Sequence, residues 1–286
     1  MILCVVGPTG VGKTKMSISL AKKYNAVVVN ADSMQVYKYL NIGTAKVTEE
    51  EKDGVEHILF DIVDPSDMYT VYDYQKDLRK VLEDYKDRNI VIVGGTGLYI
   101  KAGLYNYVFD EEESDLENFD NLSNEELYEK VLEKDDATDI HKNNRKRMIR
   151  FLNRKESIKD KDKLLYDVKF IGLTTDRDIL YDRINKRVDK MVDEGLLEEV
   201  KSLYDKKVYG KSIMTGIGYK ELYEYFDGKI SLEEAIDLIK SRSRKYAKRQ
   251  YTWFNNQMNV KWFDVDFDNF NNTINEVVEY VESEKL

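Results

Sequence analysis

The chain has 286 residues, 42% of them hydrophobic, and a formal net charge of −9 at pH 7. This length allows one large domain with a full core, or one domain that carries an insertion. The single cysteine, Cys4, excludes an intrachain disulfide framework and argues against a cysteine-ligated zinc site. The first apolar run is too short for a signal peptide, and no stretch is long enough to span a membrane. We therefore expect a soluble, cytoplasmic protein with no membrane partner.

Charge is distributed unevenly along the chain. Residues 110–136 are strongly acidic, whereas residues 141–155 and 240–250 are strongly basic. Charge alone leaves two interpretations of the basic segments open. They can be solvated helix faces, or they can form a nucleic-acid-binding surface inside an acidic total.

Strands and helices alternate over the first hundred residues. The pattern predicts apolar strands at 2–6, 26–29, 57–63 and 90–95, with helices at 13–24 and 70–88. Apolar strands of this length that are separated by helices are typical of a parallel sheet covered on both faces. The sequence therefore predicts a doubly wound α/β core.

The alternation stops at about residue 107 and resumes with a strand at 168–175. A helical C-terminal part follows, with helices at 177–195 and 231–254, a strand at 260–265 and a last amphipathic helix. Ser231 and Glu234 have the spacing of a capping box, which supports a helix start there. We predict a catalytic core over 1–106 and 161–286, interrupted by a helical insertion over 107–160.

The segment "GPTGVGKT" lies between the first predicted strand and the first predicted helix. It matches the pattern G-x-x-x-x-G-K-[ST], in which glycines let consecutive backbone N–H groups surround a phosphate. Lys13 supplies a positive charge to the outer phosphate, and Thr14 offers a hydroxyl to Mg²⁺. The predicted fold class is thus a P-loop NTPase-like doubly wound parallel sheet. The phosphate-binding residues are Gly7, Pro8, Thr9, Gly10, Val11, Gly12, Lys13 and Thr14.

The strand at 90–95 ends without the acidic residue that a P-loop kinase or ATPase uses to hold magnesium. Gly94, Gly95 and Thr96 stand there, and no carboxylate follows until Asp110. These glycines can allow close approach to a ligand, or they can simply form the turn into the next helix. The missing acid weakens the NTPase interpretation.

Asp32 follows the strand at 26–29, in the stretch "VVNADSMQVY". Because ligands of doubly wound sheets bind beyond the carboxyl ends of the strands, Asp32 should open onto the same crevice as Lys13. From the residues alone, this carboxylate can be a helix cap, a magnesium ligand or a base that accepts a proton. The neighbouring P-loop favours a role in the chemistry.

Motifs outside the P-loop are more specific than the P-loop itself. They are "DSMQVY", "IGTAK", "VDP", "GGTGLYIKA", "IHKNNRKRMIRFL", "RVDKMVDEG", "TGIGYKE" and "AKRQYTWF". Together they run nearly from end to end, and the chain resembles the tRNA dimethylallyltransferases of the bacterial type. Lys142 stands where the family commonly has proline, and the zinc-finger extension of eukaryotic members is absent.

The resemblance implies transfer of a dimethylallyl group from dimethylallyl diphosphate to N6 of the adenosine at tRNA position 37, just 3′ of the anticodon. The P-loop would hold the diphosphate leaving group with Mg²⁺, and competition from ATP stays open. The resemblance further implies that Asp32 is the general base, that Thr96 contacts the adenosine and that Thr9 lies near the phosphates. Arg187 becomes the candidate cation over the diphosphate.

The resemblance also implies a partner for the basic segments, the anticodon stem-loop of tRNA. We expect the protein to be a monomer. The target base must leave the loop to reach the crevice, where Ser33, Met34 and Gln35 would hold it beside Asp32 and Thr96. The predicted tRNA-binding residues of the insertion are Lys146, Arg147, Met148, Ile149 and Arg150. The phosphate-contacting candidates of the second segment are Arg244, Lys245, Lys248 and Arg249.

Two other classes of protein are alternatives. A small-molecule kinase would use Asp32 to activate an acceptor hydroxyl, but it lacks the acid after the strand at 90–95 and leaves the basic segments unexplained. A non-enzymatic RNA-binding or nucleotide-sensing protein would leave Asp32 without a task.

Overall fold

The computed structural model describes residues 1–109, 119, 121–136, 138, 140–153 and 163–283, except for the side chain of Arg150. The chain divides into two compact units, which we call the core unit (1–105 with 164–286) and the insertion unit (106–163). The sequence predicts these boundaries at 106 and 161. Residues 110–118, which begin the predicted acidic segment 110–136, lie outside the described residues.

One parallel sheet forms the centre of the core unit. Its described strands are β1 (Ile2–Val6), β2 (Ala26–Asn30), β3 (His57–Ile58), β4 (Asn89–Val93), β5 (Val168–Thr174) and β6 (Lys261–Asp264). They lie in the order β3-β2-β4-β1-β5-β6, and every neighbouring pair is parallel. This confirms the predicted doubly wound α/β fold. Because β4 lies between β1 and β2, the segments that follow these three strands meet at one edge of the sheet.

The predicted strand at 57–63 is wrong in its length. β3 ends at Ile58 because Leu59 and Asp61 adopt φ angles of 63° and 55°, which an extended strand excludes. The turn that replaces the end of this strand is hydrogen-bonded to the residue that ends β2, Asn30. The carbonyl of Leu59 accepts a hydrogen bond from Asn30 Nδ2 at 3.0 Å.

Helices cover both faces of the sheet. In chain order the described helices are α1 (Lys13–Tyr24), α2 (Glu49–Lys52), α3 (Val71–Asp84), α4 (Gly97–Leu104), α5 (Asn124–Lys134), α6 (Arg145–Leu152), α7 (Arg177–Asp193), α8 (Leu196–Asp205), α9 (Lys211–Thr215), α10 (Tyr219–Phe226), α11 (Leu232–Gln257) and α12 (Phe270–Ser283). Side chains alternate along β1, so that Cys4 and Val6 face one hydrophobic core and Leu3 and Val5 the other. None of the described helices is long and apolar enough to cross a lipid bilayer.

Helices α8 to α10 were not predicted from the sequence. With parts of α7 and α11 they form a third hydrophobic core, which encloses Val36, Tyr37 and Leu40 from the segment after β2. This core holds the segment that follows Asp32 against the C-terminal helices. The predicted start of α11 is confirmed, since Ser231 and Glu234 form a complete capping box.

The insertion unit has a small hydrophobic core of its own. Phe119, Leu127, Val131, Ile140 and Met148 form it, with α5 packed against α6. Arg145 connects α6 to the segment before α5, because its guanidinium donates to the carbonyls of Phe119 and Leu122 at 2.7 Å each. The first residue of the basic helix α6 is therefore structural.

Candidate active site

The P-loop follows β1 and leads directly into α1. Gly12 is the N-cap of α1 with a φ of 102°, and a Cβ at this position would lie 2.7 Å from the ring of Phe270. Gly7 has a φ of 140°, and its Cβ would lie 2.5 Å from the carbonyl oxygen of Leu173. The loop thus needs glycine both for its backbone conformation and for its packing against β5 and α12. The N-terminus of α1 faces the same loop, as expected for an anion site.

Lys13 is folded back over the loop. Its ammonium donates to the carbonyl oxygens of Gly7 at 3.0 Å and Pro8 at 2.8 Å. Burial and, to a smaller extent, the charge of Arg187 lower the pKa of Lys13 to about 7, although the charge of Asp32 acts in the opposite direction. Two cations and one carboxylate therefore influence each other here. A bound anion would favour the charged form of Lys13.

Asp32 is positioned by the buried side chain of Asn30 at the end of β2. Asn30 Oδ1 accepts from the N–H of Asp32 at 2.9 Å, and Asn30 Nδ2 donates to the carbonyl of Asp32 at 3.1 Å. The phenol of Tyr74 donates to the carbonyl of Asn30 at 2.9 Å. Asp32 Oδ1 accepts from the N–H of Met34 at 2.9 Å, so one carboxylate oxygen caps the turn. Sequence reasoning missed the positioning role of Asn30, although it stands two residues before Asp32.

The segment after β4 packs directly against the segment after β2. A Cβ on Gly94 would lie 2.2 Å from the backbone of Ala31, so only glycine allows this contact. Thr96 Oγ1 accepts from the N–H of Ser33 at 2.9 Å and lies 3.2 Å from Ser33 Oγ. Packing within the protein therefore accounts for glycine at position 94.

Two residues of α11 complete this arrangement. Gln250, which is 4% exposed, accepts from the N–H of Thr9 at 2.9 Å and donates to the carbonyl of Gly95 at 3.0 Å. It thereby joins the P-loop to the segment after β4. The phenol of Tyr246 interacts with the side chains of Thr96 and Gln250, and burial with the nearby charge of Asp32 raises its pKa to about 12. Both Tyr246 and Gln250 lie in or beside the motif "AKRQYTWF", but the sequence alone assigned a role to neither of them.

The "IGTAK" loop brings Gln35 and Arg187 together. Gln35 Nε2 donates to the carbonyl of Thr44 at 3.0 Å, and Arg187 Nη2 donates to the same oxygen at 3.5 Å. Glu199 holds the loop, because its carboxylate accepts three consecutive backbone N–H groups at 2.8–3.1 Å. Burial lowers the pKa of Arg187, and the charge of Asp32 acts against this effect.

Two adjoining cavities open at this edge of the sheet. The first, about 320 Å³, is the P-loop cavity, and its polar lining includes Lys13, Thr14, Gln35, Arg183, Arg187 and Lys190. The second, about 300 Å³, is the apolar cavity, and its lining includes Met34, Ile184, Val188, Met191, Ile217 and Ile239. The residues common to both linings are Thr9, Asp32, Thr44, Arg187 and Tyr246. Asp32 thus stands where a cation-rich cavity meets an apolar one.

The oxygen donors of the P-loop cavity are suited to a magnesium ion that is held mainly by phosphate. Among the described residues, no group of three or more His, Cys, Asp or Glu side chains could form a protein-only metal site. Thr14 and Asp32 both line the P-loop cavity. Mg²⁺ is commonly bound by one or two protein oxygens together with substrate phosphates and water. The donor set is therefore compatible with Mg²⁺ carried by a diphosphate.

The predicted tRNA-binding residues of the insertion differ in their surroundings. Lys146 and Arg147 are exposed on α6, whereas Met148 is fully buried in the small core and Ile149 is half-buried against it. A direct RNA contact by the Met148 side chain is therefore wrong for this structure, because positions that recur every three to four residues along an amphipathic helix face its core. The side chain of Arg150 lies outside the described residues.

The basic residues of α11 are also divided between two environments. Arg249 lines the apolar cavity, and Arg244 donates to Asn185 Oδ1 at 2.5 Å. Lys245 and Lys248 are exposed. The structure thus brings only part of this charged segment to the site.

Comparisons with known proteins agree with the geometry. A family model described as IPP transferase matches residues 35–257. A protein of Anoxybacillus flavithermus named tRNA dimethylallyltransferase is 47% identical, over 98% of this chain and 96% of its own length. The chain belongs to the tRNA dimethylallyltransferase family. This confirms the resemblance that the motifs predict and makes the chain a prenyl-group transferase.

Two solved structures are similar to this member of the tRNA dimethylallyltransferase family. The tRNA delta(2)-isopentenylpyrophosphate transferase of Staphylococcus epidermidis is 39% identical with a TM-score of 0.77, and 99% of each chain is covered. A eukaryotic dimethylallyltransferase, described in crystallographic snapshots as acting on tRNA, is 27% identical with a TM-score of 0.82. That similarity covers 99% of this chain and 78% of the eukaryotic one.

Proposed function

We propose that this chain transfers the dimethylallyl group of dimethylallyl diphosphate to N6 of the adenosine at tRNA position 37, just 3′ of the anticodon, and releases diphosphate. Family membership supports the reaction class and tRNA as the acceptor. The free, buried Cys4 is compatible with a reducing cytoplasm as the place of reaction. We propose a monomer as the active form.

The observation that carries the proposal is the position of Asp32 between the two cavities. The P-loop cavity offers Lys13, Arg187 and the N-terminus of α1 to a diphosphate. The apolar cavity offers aliphatic side chains to an isoprenyl chain and to a base that has left the RNA loop. A carboxylate at the junction lies where the carbon leaves one substrate and joins the other.

The proposed step breaks the bond between C1 of the dimethylallyl group and the diphosphate oxygen, and forms a bond from C1 to N6. The electron pair of the broken bond leaves with the diphosphate, whose charge Lys13 and Arg187 stabilise. N6 is conjugated into the adenine ring and is a poor nucleophile, so its proton must be removed as the new bond forms. Asp32 accepts that proton as general base.

Mg²⁺ would neutralise further charge on the leaving diphosphate when bound, with Thr14 as its protein ligand. Asp32 already uses Oδ1 to accept the N–H of Met34. Its other oxygen is the one that we assign to the proton of N6.

Residues around Asp32 are proposed to hold the acceptor. Thr96 contacts Ser33 and Tyr246, and we propose that its hydroxyl contacts the reacting adenosine. Ser33, Met34 and Gln35 hold the flipped nucleotide and its neighbours. Lys146 and Arg147 of the insertion unit contact phosphates of the anticodon stem-loop, a role that suits their exposure on α6.

Incubation of the protein with dimethylallyl diphosphate, Mg²⁺ and unmodified tRNA tests the proposal. The expected result is a tRNA whose digestion yields N6-(dimethylallyl)adenosine, from position 37 only. ATP in place of the prenyl donor should yield neither hydrolysis nor transfer. Hydrolysis of ATP without any prenylated tRNA would instead support the small-molecule kinase.

A further inference from the structure

A third cavity in the core unit belongs to neither of those described above. It has a volume of about 280 Å³ and lies beside the P-loop, between the carboxyl end of β5 and one face of α11. We call it the aromatic cleft; its floor and walls include Pro8, Leu180, Tyr181, Ala247 and Tyr251. Pro8, Leu180 and Ala247 are buried, whereas the two tyrosines border the opening.

Each tyrosine ring of the aromatic cleft contacts one neighbouring side chain, Trp262 at Tyr251 and Arg177 at Tyr181. Tyr251 is 41% exposed, and its ring lies 4.9 Å from the ring of Trp262, centroid to centroid. The guanidinium of Arg177 lies over the ring of Tyr181 at 5.0 Å. Exposed aromatic rings beside an arginine plane are the usual stacking surface for unpaired bases.

Positive charge surrounds the opening of the aromatic cleft. Arg177 and Lys248 line it, and neither forms an ion pair with any of the residues that the structure describes. Asp176 and Asp178 flank Arg177 in the sequence without forming an ion pair with it, and Asp176 is engaged as the N-cap of α7, where its Oδ1 accepts from the N–H of Asp178 at 2.8 Å. The chemistry therefore suits a ligand with a flat apolar part and a negative charge beside it.

Helix α11 connects the aromatic cleft to the reaction site. Ala247, Lys248 and Tyr251 line the cleft, whereas Tyr246 and Gln250 line the P-loop cavity. A helix with its side chains is about 10–12 Å across. A few nucleotides of a single strand cover that distance.

We propose that the aromatic cleft binds an unpaired nucleotide of the RNA substrate, with its base against Tyr181 and Tyr251 and its phosphate near Arg177 and Lys248. This proposal rests on the proposed function, because it requires an RNA substrate. The volume is close to the lower end of about 300–1,000 Å³ for small-ligand pockets, which suits one base better than a longer segment. The cleft gives RNA a second anchor outside the reaction site.

Binding of an unmodified anticodon stem-loop, measured by fluorescence anisotropy, tests the cleft directly. Tyr251→Ala should raise the Kd about tenfold, in line with the loss of one base–aromatic stack. Tyr251→Phe should keep the wild-type affinity, and Lys248→Ala should reduce the salt dependence of binding. Tyr72→Ala is the matched control, since Tyr72 is 57% exposed on α3. Thermal unfolding of each variant separates a local loss of stacking from misfolding.

An abasic scan of the RNA loop identifies the nucleotide. When the base that binds in the cleft is removed from the RNA, Tyr251→Ala should no longer change the Kd. At every other loop position, the effects of base removal and of Tyr251→Ala on the binding free energy should be additive. Additivity at all positions, or equal loss of affinity in Tyr72→Ala, overturns the proposal. Wild-type protein that binds the stem-loop but makes no prenylated product overturns the proposed function instead, and the affinity readout still reports on the cleft.

Discussion

The two basic segments of the chain look alike in sequence but have different surroundings in the structure. On α6, Lys146 and Arg147 are exposed, whereas Met148, which follows them, is part of the small core of the insertion unit. On α11, Tyr246 and Gln250 stand among the charged residues and line the P-loop cavity, and Gln250 joins the P-loop to the segment after β4.

This difference separates binding from positioning. A cation on a solvated helix face contributes to RNA affinity through phosphate charge and counterion release. A buried amide that bridges two loops fixes the distance between groups that act on different substrates. Substitutions of Tyr246 and Gln250 on α11 should therefore change the rate of the chemical step, whereas substitutions of the exposed cations on α6 should change affinity only.

Among variants of α11 and α6, we expect Gln250→Leu to change the single-turnover rate the most. The variant leaves the N–H of Thr9 and the carbonyl of Gly95 without their present partner, at a cost to the free energy of unfolding of about 1–3 kcal/mol for each. Because the P-loop can then move relative to Asp32, the single-turnover rate should fall about 10²-fold. Rapid-quench kinetics with saturating substrates measures it.

Gln257→Leu is the control, since Gln257 is exposed in the last turn of the same helix. It should retain the wild-type rate. A Gln250→Leu variant that loses stability but keeps its rate under conditions where it is folded would show that the bridge is merely structural.

The charge of Lys13, inside the site, should also depend on pH near neutrality, unlike that of the exposed cations on α6. Because burial and Arg187 lower the pKa of Lys13 to about 7, the free protein holds neutral Lys13 above that pH. Binding of inorganic diphosphate then requires uptake of a proton. Affinity should fall as the pH rises above 7, by up to about tenfold per unit.

Calorimetry in buffers of different ionisation enthalpy measures that proton uptake. Lys13→Met removes the titrating group, while the ionisation of diphosphate itself is common to both proteins. The difference between the two proteins should therefore isolate Lys13. Equal proton uptake by wild type and Lys13→Met at pH 8 would contradict this assignment.

The smallest effects are expected on α6. Lys146→Ala and Arg147→Ala should each weaken tRNA binding and reduce the slope of log K against log salt by about 1. The rate at saturating tRNA should not change, because neither residue lies in the core unit that contains Asp32. Lys130→Ala, an exposed lysine on α5, is the control. An unchanged salt slope for both variants would show that α6 does not contact phosphate.

The parts of the fold that could be predicted from sequence depend on local patterns. Apolar strands, the P-loop glycines and the capping box of α11 each act over a few residues, and the structure contains them where they were expected. The strand at 57–63 was overestimated, since hydrophobicity alone does not reveal that Leu59 and Asp61 take left-handed backbone angles. Helices α8 to α10 were missed, because each is short and part of the core that they form comes from Val36, Tyr37 and Leu40, far away in the chain.

The candidate site was predictable only where a motif marks a residue. Lys13, Asp32 and Thr96 stand in recognisable motifs, and the structure brings all three to one edge of the sheet. Gln250 and Glu199 could not be given a role, because the backbone groups that they bind lie between 155 and 241 residues away. A hydrogen bond between such distant residues has no periodicity or spacing that a single sequence displays.

The most direct test of the account is the single-turnover rate of Asp32→Asn with saturating dimethylallyl diphosphate and tRNA. Asparagine keeps an oxygen that can accept the N–H of Met34, so the turn should persist while the base is lost. We predict a fall in rate of about 10²–10⁴-fold with affinities for tRNA and diphosphate near those of the wild type. A near-normal single-turnover rate would contradict the assignment of Asp32 as the group that accepts the proton.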